Sequence, residues 1–445
     1  MVDWAWGFPL VTLLLAGGFY LAVVGRFVPL LGFFHALRLV SGRYHHLGDE
    51  KDQGQLSHFK ALTNALSATV GIGNIAGVAV AITQGGAGAI FWMWVSALLG
   101  MNTKFFECTL AVMFRGKDHN NEVQGGPMYV IEKALPKSFR FMAYFFAACG
   151  TIGALSLYQI NQLSRYVESQ YPISPIFVGM ATALLVGYIL LGGVRRIAEM
   201  TSKVVPFMCV VYVLSCLTIL GLHLEQIPAV FLQIFKEAFT GSAAFGGAVG
   251  IGVQEVIKIG VKRAAFSNEA GVGTAPLAHG NAKTTEPIAE GLVAMMGPFL
   301  DTIIICTMTA LVILLTFPDG APNGQEGVLI TLKAFEINLP IWGKHFLGLA
   351  VILFSVTTMV GLANYNGKCW NYLFKGRRFF GEKTFILYYC SSLIFGSIHE
   401  ATDMVNLMDT GYALMAWPNM IATIWLAPHV RMAMKEYFAR YLNKT

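Results

Sequence analysis

The sequence predicts an all-α polytopic membrane protein, with one N-terminal helix followed by two five-helix halves of opposite orientation. Three observations predict it. Of 445 residues, 55% are hydrophobic and 13% charged, against roughly 25% charged in soluble domains. The apolar residues gather in eleven runs, most of them near the ~20 residues that a bilayer-crossing helix needs. Finally, the same string interrupts an apolar run in each half, as Val70-Gly71-Ile72-Gly73 and as Val249-Gly250-Ile251-Gly252.

The runs lie at about 8–34, 61–83, 88–114, 139–163, 173–193, 204–222, 243–266, 288–317, 341–364, 384–399 and 404–428. They occupy the chain from end to end, so 1–445 reads as one membrane domain. Within it, 1–55 is the extra helix with its loop, 56–222 the first repeat, 223–242 an outer connection, 243–428 the second repeat and 429–445 a tail. The first run has no early basic cluster and no small-residue cleavage site, so it reads as a retained helix. The weakest run is 243–266, where Glu255, Lys258, Lys262 and Arg263 crowd the second half. Without it every later loop would change sides, against the charge pattern. The partly apolar connections 223–242 and 318–340 read as short interfacial helices.

That charge pattern orients the chain. Most of the 31 basic residues fall in one alternating set of connections, within 38–60, 115–140, 195–203, 258–283 and 368–383, and in the tail. The opposite set holds few, among them Arg165, Lys236, Lys333 and Lys344. Basic loops mark the cytoplasmic side, which predicts a multi-pass protein of the cell (cytoplasmic) membrane, its N-terminus outside and its C-terminus cytoplasmic. The net charge of +6 is thus topological. Its dispersal among short loops points to the lipid bilayer as partner, with no nucleic acid. The seven cysteines show no C-x-x-C spacing and no disulfide framework, and read as small packing residues.

An odd number of spans per half inverts one half relative to the other, and a glycine-broken helix in each half points to a secondary-transporter site. Unwinding at Gly71–Gly73 frees amides that attract a carboxylate and carbonyls that attract a cation or ammonium, with the Asn74 amide just beyond. The competing reading makes Gly71, Gly73 and Gly77 small residues for close helix packing. The second break is read at 246–254, with Gln254 its nearest polar group. In 355–358, Thr357 and Thr358 offer hydroxyls toward the first broken helix, or bond their own helix. Lys104 and Glu107 are spaced to neutralise each other. Asp301 and Asp409 have no local partner and mark a path or an interhelical bond. Lys203 reads as a snorkelling lysine, or as a stand-in for Na⁺ in a proton-coupled transporter. His279 has no evident partner. The chain contains no H-E-x-x-H, P-loop or G-x-S-x-G string, so neither an enzyme nor ATP-driven transport is predicted.

Longer strings carry a resemblance. Gly85-Gly-Ala-Gly-Ala-Ile-Phe-Trp-Met-Trp-Val-Ser-Ala-Leu-Leu-Gly100, Gly125-Gly-Pro-Met-Tyr129, Phe266-Ser-Asn-Glu-Ala-Gly-Val-Gly-Thr-Ala-Pro-Leu-Ala-His279 and Trp417-Pro-Asn419 resemble segments of the sodium:alanine (alanine or glycine:cation) symporter family. The resemblance covers nearly the whole chain. It implies a leucine-transporter-like five-plus-five inverted repeat and Na⁺-coupled symport of a small neutral amino acid, alanine or glycine. Na⁺ is then the coupling ion, and no cofactor is implied. By position it assigns Na⁺ to the carbonyls of Ser67, Val70 and Phe354 and the hydroxyls of Thr357 and Thr358. Substrate falls to Gly71, Gly73 and Asn74, faced by Gly250, Gly252 and Gln254, with Tyr158 and Gln159 as a further wall. The Phe266–His279 segment is assigned to the inner gate, pinned by capping at Asn268 and Glu269. An H⁺-coupled transporter of the same fold remains the alternative.

Overall fold

The computed structural model describes residues 5–42, 54–240, 252–318 and 326–441. Among these the chain is helical apart from short loops and a two-residue hairpin pairing Gly116–Lys117 with Val123–Gln124. The polarity is inside-out for a soluble protein. Leu30, Leu184 and Leu387 face outward, while Asn74, Lys104, Glu107, Arg263, Asp301 and Asp409 are buried. A surface this apolar over charges this buried needs lipid as its solvent. Among the described residues, four helical stretches are long and apolar enough to cross a membrane: Lys137–Gln170, Gly193–Leu222, Pro287–Thr316 and Gly343–Phe374. Two bent helix pairs raise the number to six.

The first run is not one helix. Phe8–Val24 and Val28–Val40 meet at 75°, because Arg26 and Phe27 both take φ near 54° and Pro29 opens the second helix. The next run breaks where the sequence predicts. Helix His58–Thr69 stops at Val70, a π-helical turn spans Gly73–Gly77, and Val78–Gly85 continues at a 50° bend. Gly88–Met113 follows unbroken. The fourth run carries an unpredicted interruption at 154–156, between Arg140–Gly153 and Leu157–Gln170. There Gly153 lies against Gly411, and a Cβ on it would sit 2.9 Å from the Gly411 carbonyl carbon. Pro175–Leu190 and Gly193–Leu222 complete the first half.

The second half opens with Val253–Asn268. Of the predicted break at 246–254, only the residues from Gly252 on are described. Residues 241–251, and with them Gly250, lie outside the described residues. Gly252 is the extended N-cap of a helix that runs unbroken to Asn268. The chain unwinds at 269–274, with positive φ at Glu269 (58°), Gly271 (85°) and Gly273 (92°), before the short helix Ala275–His279. Positive φ is what glycine supplies cheaply, so the glycines inside the Phe266–His279 string make the break. Pro287–Ala294 leads through a π-helical stretch at Phe299–Cys306 into Thr307–Thr316. Gly343–Phe374, Glu382–Ile398 and Ala401–Tyr441 follow. The two connecting segments do form short helices, Ile227–Thr240 and Val328–Asn338.

One contact positions the site. A Cβ on Gly361 would lie 2.6 Å from Ser67 Oγ and 2.7 Å from the Ala68 nitrogen. Only a glycine lets helix Gly343–Phe374 come this close to the backbone of His58–Thr69.

Candidate functional site

At the first break the Gly71 N–H donates to Asn74 Oδ1 at 2.7 Å, and the Asn74 N–H returns to the Gly71 carbonyl at 3.0 Å. In an unbroken helix the Gly71 N–H would bond the Ser67 carbonyl. The asparagine therefore caps the break and releases that oxygen. Thr358 completes the corner. A Cβ on Gly71 would fall 1.9 Å from Thr358 Oγ1, so the hydroxyl points into the break, and this buried oxygen has no protein hydrogen-bond partner. Thr357 differs: its hydroxyl donates to the Leu353 carbonyl at 2.8 Å and the Phe354 carbonyl at 3.2 Å. Of the predicted cation ligands, Thr358 lies against the break that follows Ser67 and Val70, while Thr357 and the Phe354 carbonyl serve each other. The oxygens at the break fit an alkali cation, which takes hard neutral oxygen ligands.

Asn74 also anchors a polar cluster. Its Nδ2 donates to Asp301 Oδ1 at 2.6 Å and Ser267 Oγ at 3.1 Å. Ser267 and Thr302 donate to Asp301 Oδ2 at 2.8 and 2.7 Å, and Asn268 donates to Thr302 at 3.0 Å. A buried carboxylate is costly unless hydrogen-bonded, and these donors replace its hydration. Asp301 is thus the support of the Asn74 cap, a role that its intramembrane position hinted at without naming a partner.

The second break faces the first. A Cβ on Gly73 would lie 3.6 Å from the Phe266 ring, which is flanked by Tyr158 at 5.6 Å and Tyr412 at 5.8 Å. Tyr158 Oη and Gln159 Oε1 are buried without protein partners. Asn268 Oδ1 caps its own helix end by accepting from the Ala270 N–H at 3.0 Å. Glu269 accepts from Thr274 at 2.7 Å and from Tyr412 at 3.0 Å. Asn419 holds the Gly271 carbonyl at 2.9 Å and Glu107 at 2.7 Å, so Glu107 finds its partner on another helix. Asp409 is bound by Lys262 and Arg263, each at 2.7 Å.

Gly252 and Gln254 do not join this site. They sit at the opposite end of Val253–Asn268, about 22 Å from Ser267 at 1.5 Å per residue, and both are exposed. Lys203 is exposed as well, so it does not occupy the cation corner.

The face carrying the basic loops is closed by a separate device. Leu56 bridges Ala282, with Gln55 N–H donating to the Asn281 carbonyl at 2.9 Å and Lys283 N–H to the Leu56 carbonyl at 2.6 Å. Arg115 donates to the carbonyls of Gly280 at 2.7 Å and Thr284 at 2.9 Å, and to that of Ala282. Glu290 bonds His279 at 2.5 Å and also His58. The segments that enter the first broken helix and leave the second are thereby zipped together.

The family model described as "Sodium:alanine symporter family" matches residues 1–445. The chain belongs to that family. It is 41% identical over 442 residues to an uncharacterized transporter of Haemophilus influenzae, covering 98% of this chain and 94% of the relative. It is 37% identical to the sodium/alanine symporter AgcS of Methanococcus maripaludis, covering 96% and 93%. The crystal structure of MhsT in complex with L-phenylalanine superposes with a TM-score of 0.54 at 13% identity, covering 86% of this chain and 98% of that one. The shared architecture is the leucine-transporter fold. This symporter-family chain is accordingly a multi-pass membrane transporter.

The family strings divide between site and scaffold. Phe266–His279 forms the second break. Gly85–Gly100 packs instead: Trp92 Nε1 donates to the Ala238 carbonyl at 3.1 Å, Trp94 Nε1 to Thr307 at 2.8 Å, and a Cβ on Gly88 would lie 2.5 Å from Glu237.

Proposed function

We propose that the protein takes up a small neutral amino acid, alanine or glycine, together with Na⁺ by alternating access. The observation that carries this is the unpartnered Thr358 hydroxyl aimed at Gly71 beside the released Ser67 carbonyl. Na⁺ there binds the Ser67 and Val70 carbonyls and Thr358, joining the first broken helix to Gly343–Phe374. The amino acid sits between the breaks, its carboxylate toward the amides from Gly71 to Gly73 and its ammonium toward Gln159 Oε1 and Tyr158 Oη. Phe266 and Tyr412 limit its side chain. The name of the AgcS relative, a sodium/alanine symporter, supports alanine.

Na⁺ fixes the corner at which substrate binds, so each ligand raises the other's affinity, and the coupling is reciprocal. Eleven spans in a one-plus-five-plus-five arrangement put the basic loops and the C-terminus in the cytoplasm. The Arg115 and Glu290 contacts then close the inner side. The test is uptake of radiolabelled alanine into proteoliposomes under an inward Na⁺ gradient, against K⁺ at matched pH. Na⁺-stimulated uptake that unlabelled alanine abolishes is expected. Uptake driven by an H⁺ gradient alone would overturn the Thr358 site.

A further inference from the structure

A cavity of about 420 Å³ opens on the basic-loop face, between the 116–124 hairpin, the turn after Pro175–Leu190 and helix Gly343–Phe374. Residues 71–74 do not line it. Its size falls within the ~300–1,000 Å³ of small-molecule sites. Three of its lining groups are buried and chemically unfinished. Among the described residues Asn364 Nδ2 is a donor without a partner, and Gln124 Oε1 is an acceptor without one. Lys368 Nζ reaches, among the described residues, only the Leu277 carbonyl, which leaves an ammonium with further hydrogens to donate. Buried polar groups left unpaired are costly and call for an explanation. Gln124 is held in place because its Nε2 donates to Asp118 Oδ2 at 2.9 Å, which keeps Oε1 turned away from the carboxylate.

The open groups match a zwitterion. A carboxylate satisfies both the Asn364 donor and the Lys368 charge, and an ammonium satisfies the Gln124 acceptor. Placement supports the same ligand. Gly361, Asn364 and Lys368 follow at intervals of three or four residues, which share one helix face, and Gly361 on that face touches Ser67 and Ala68 beside the first break. The face runs from the cation corner to the cavity. We propose that this cavity is a second amino-acid site, in which Asn364 and Lys368 hold the carboxylate and Gln124 holds the ammonium. The proposal rests on the amino-acid reading above. The cavity shares none of the oxygens assigned to Na⁺, so binding there is independent of Na⁺.

The test is equilibrium dialysis of radiolabelled alanine against the purified full chain in detergent, in Na⁺ and in K⁺. Two alanines per chain are expected in Na⁺ and one in K⁺. Gln124→Leu and Lys368→Met should each weaken the K⁺ binding by about tenfold or more. Both should keep the Na⁺-dependent alanine, which also shows that the variants are folded. A single, Na⁺-dependent alanine in the unmodified chain overturns the second site and leaves the symporter reading standing. K⁺ binding that neither variant weakens, or that inorganic phosphate displaces and glycine does not, overturns it as well. No alanine bound in either salt overturns both readings.

Discussion

Thr357 and Thr358 are adjacent and chemically identical, yet the structure separates them. One hydroxyl is spent on its own helix carbonyls, and the other is open at the Gly71 break. Thr358→Ala is expected to raise the Na⁺ concentration for half-maximal uptake by about tenfold, or ~1.4 kcal/mol. Thr357→Ala should leave it within about twofold, since a hydroxyl bonded to its own helix contributes little. Na⁺-activation curves in proteoliposomes check both. Equal loss in the two variants would place the cation elsewhere. The sequence offered both hydroxyls and could not choose, because helical position fixes a side chain's face only to within a turn. The rotamer and the neighbouring backbone decide the rest. Asp301 is similar: its burial was legible, its role under Asn74 was not.

The glycines behave differently as elements are considered. A Cβ on Gly71 would collide with Thr358 Oγ1 at 1.9 Å, whereas one on Gly77 meets nothing within 4 Å. Gly71→Ala is therefore expected to abolish Na⁺-stimulated uptake, and Gly77→Ala to retain it within about twofold, because added volume harms only where the space is filled. Uptake assays on the two variants at matched expression check this. Impairment by Gly77→Ala would favour the reading of these glycines as helix-packing residues. The first break was legible because its V-G-I-G string is followed at once by an asparagine that caps it. The break at 269–274 was not read from the sequence, which drew attention to the repeated string at 249–252. A glycine pair permits a break but does not require one. The positive φ that glycine supplies at 271 and 273 is held by anchors: Tyr412 and Thr274 on Glu269, Asn419 on Gly271 and Thr302 on Asn268.

Across the whole molecule, the closure on the basic-loop face ties together segments far apart in sequence. Arg115 binds the carbonyls of three alternate residues, Gly280, Ala282 and Thr284, and Glu290 gathers His58 and His279. Arg115→Ala removes a charged donor from three carbonyls, a loss worth about 1–3 kcal/mol for each one left unsatisfied. The population open on that face should rise accordingly. A cysteine placed at Ala68, which is buried, is expected to react faster with a hydrophilic maleimide in the Arg115→Ala background than in the parent. Unchanged labelling would mean that these contacts do not hold the closed state.

The sequence by itself determined the class of protein and the first broken helix. Those follow from local physics: an apolar run of membrane length must be helical, and a glycine string capped by asparagine lets it unwind. Only the tertiary structure decided the 75° bend in the first run, the break at 269–274, the different surroundings of Thr357 and Thr358 and the partners of Asp301, Asp409 and His279. Each of these depends on which distant groups meet inside a low-dielectric interior. There a charge must find its partner wherever the fold brings one, and sequence spacing does not record that meeting.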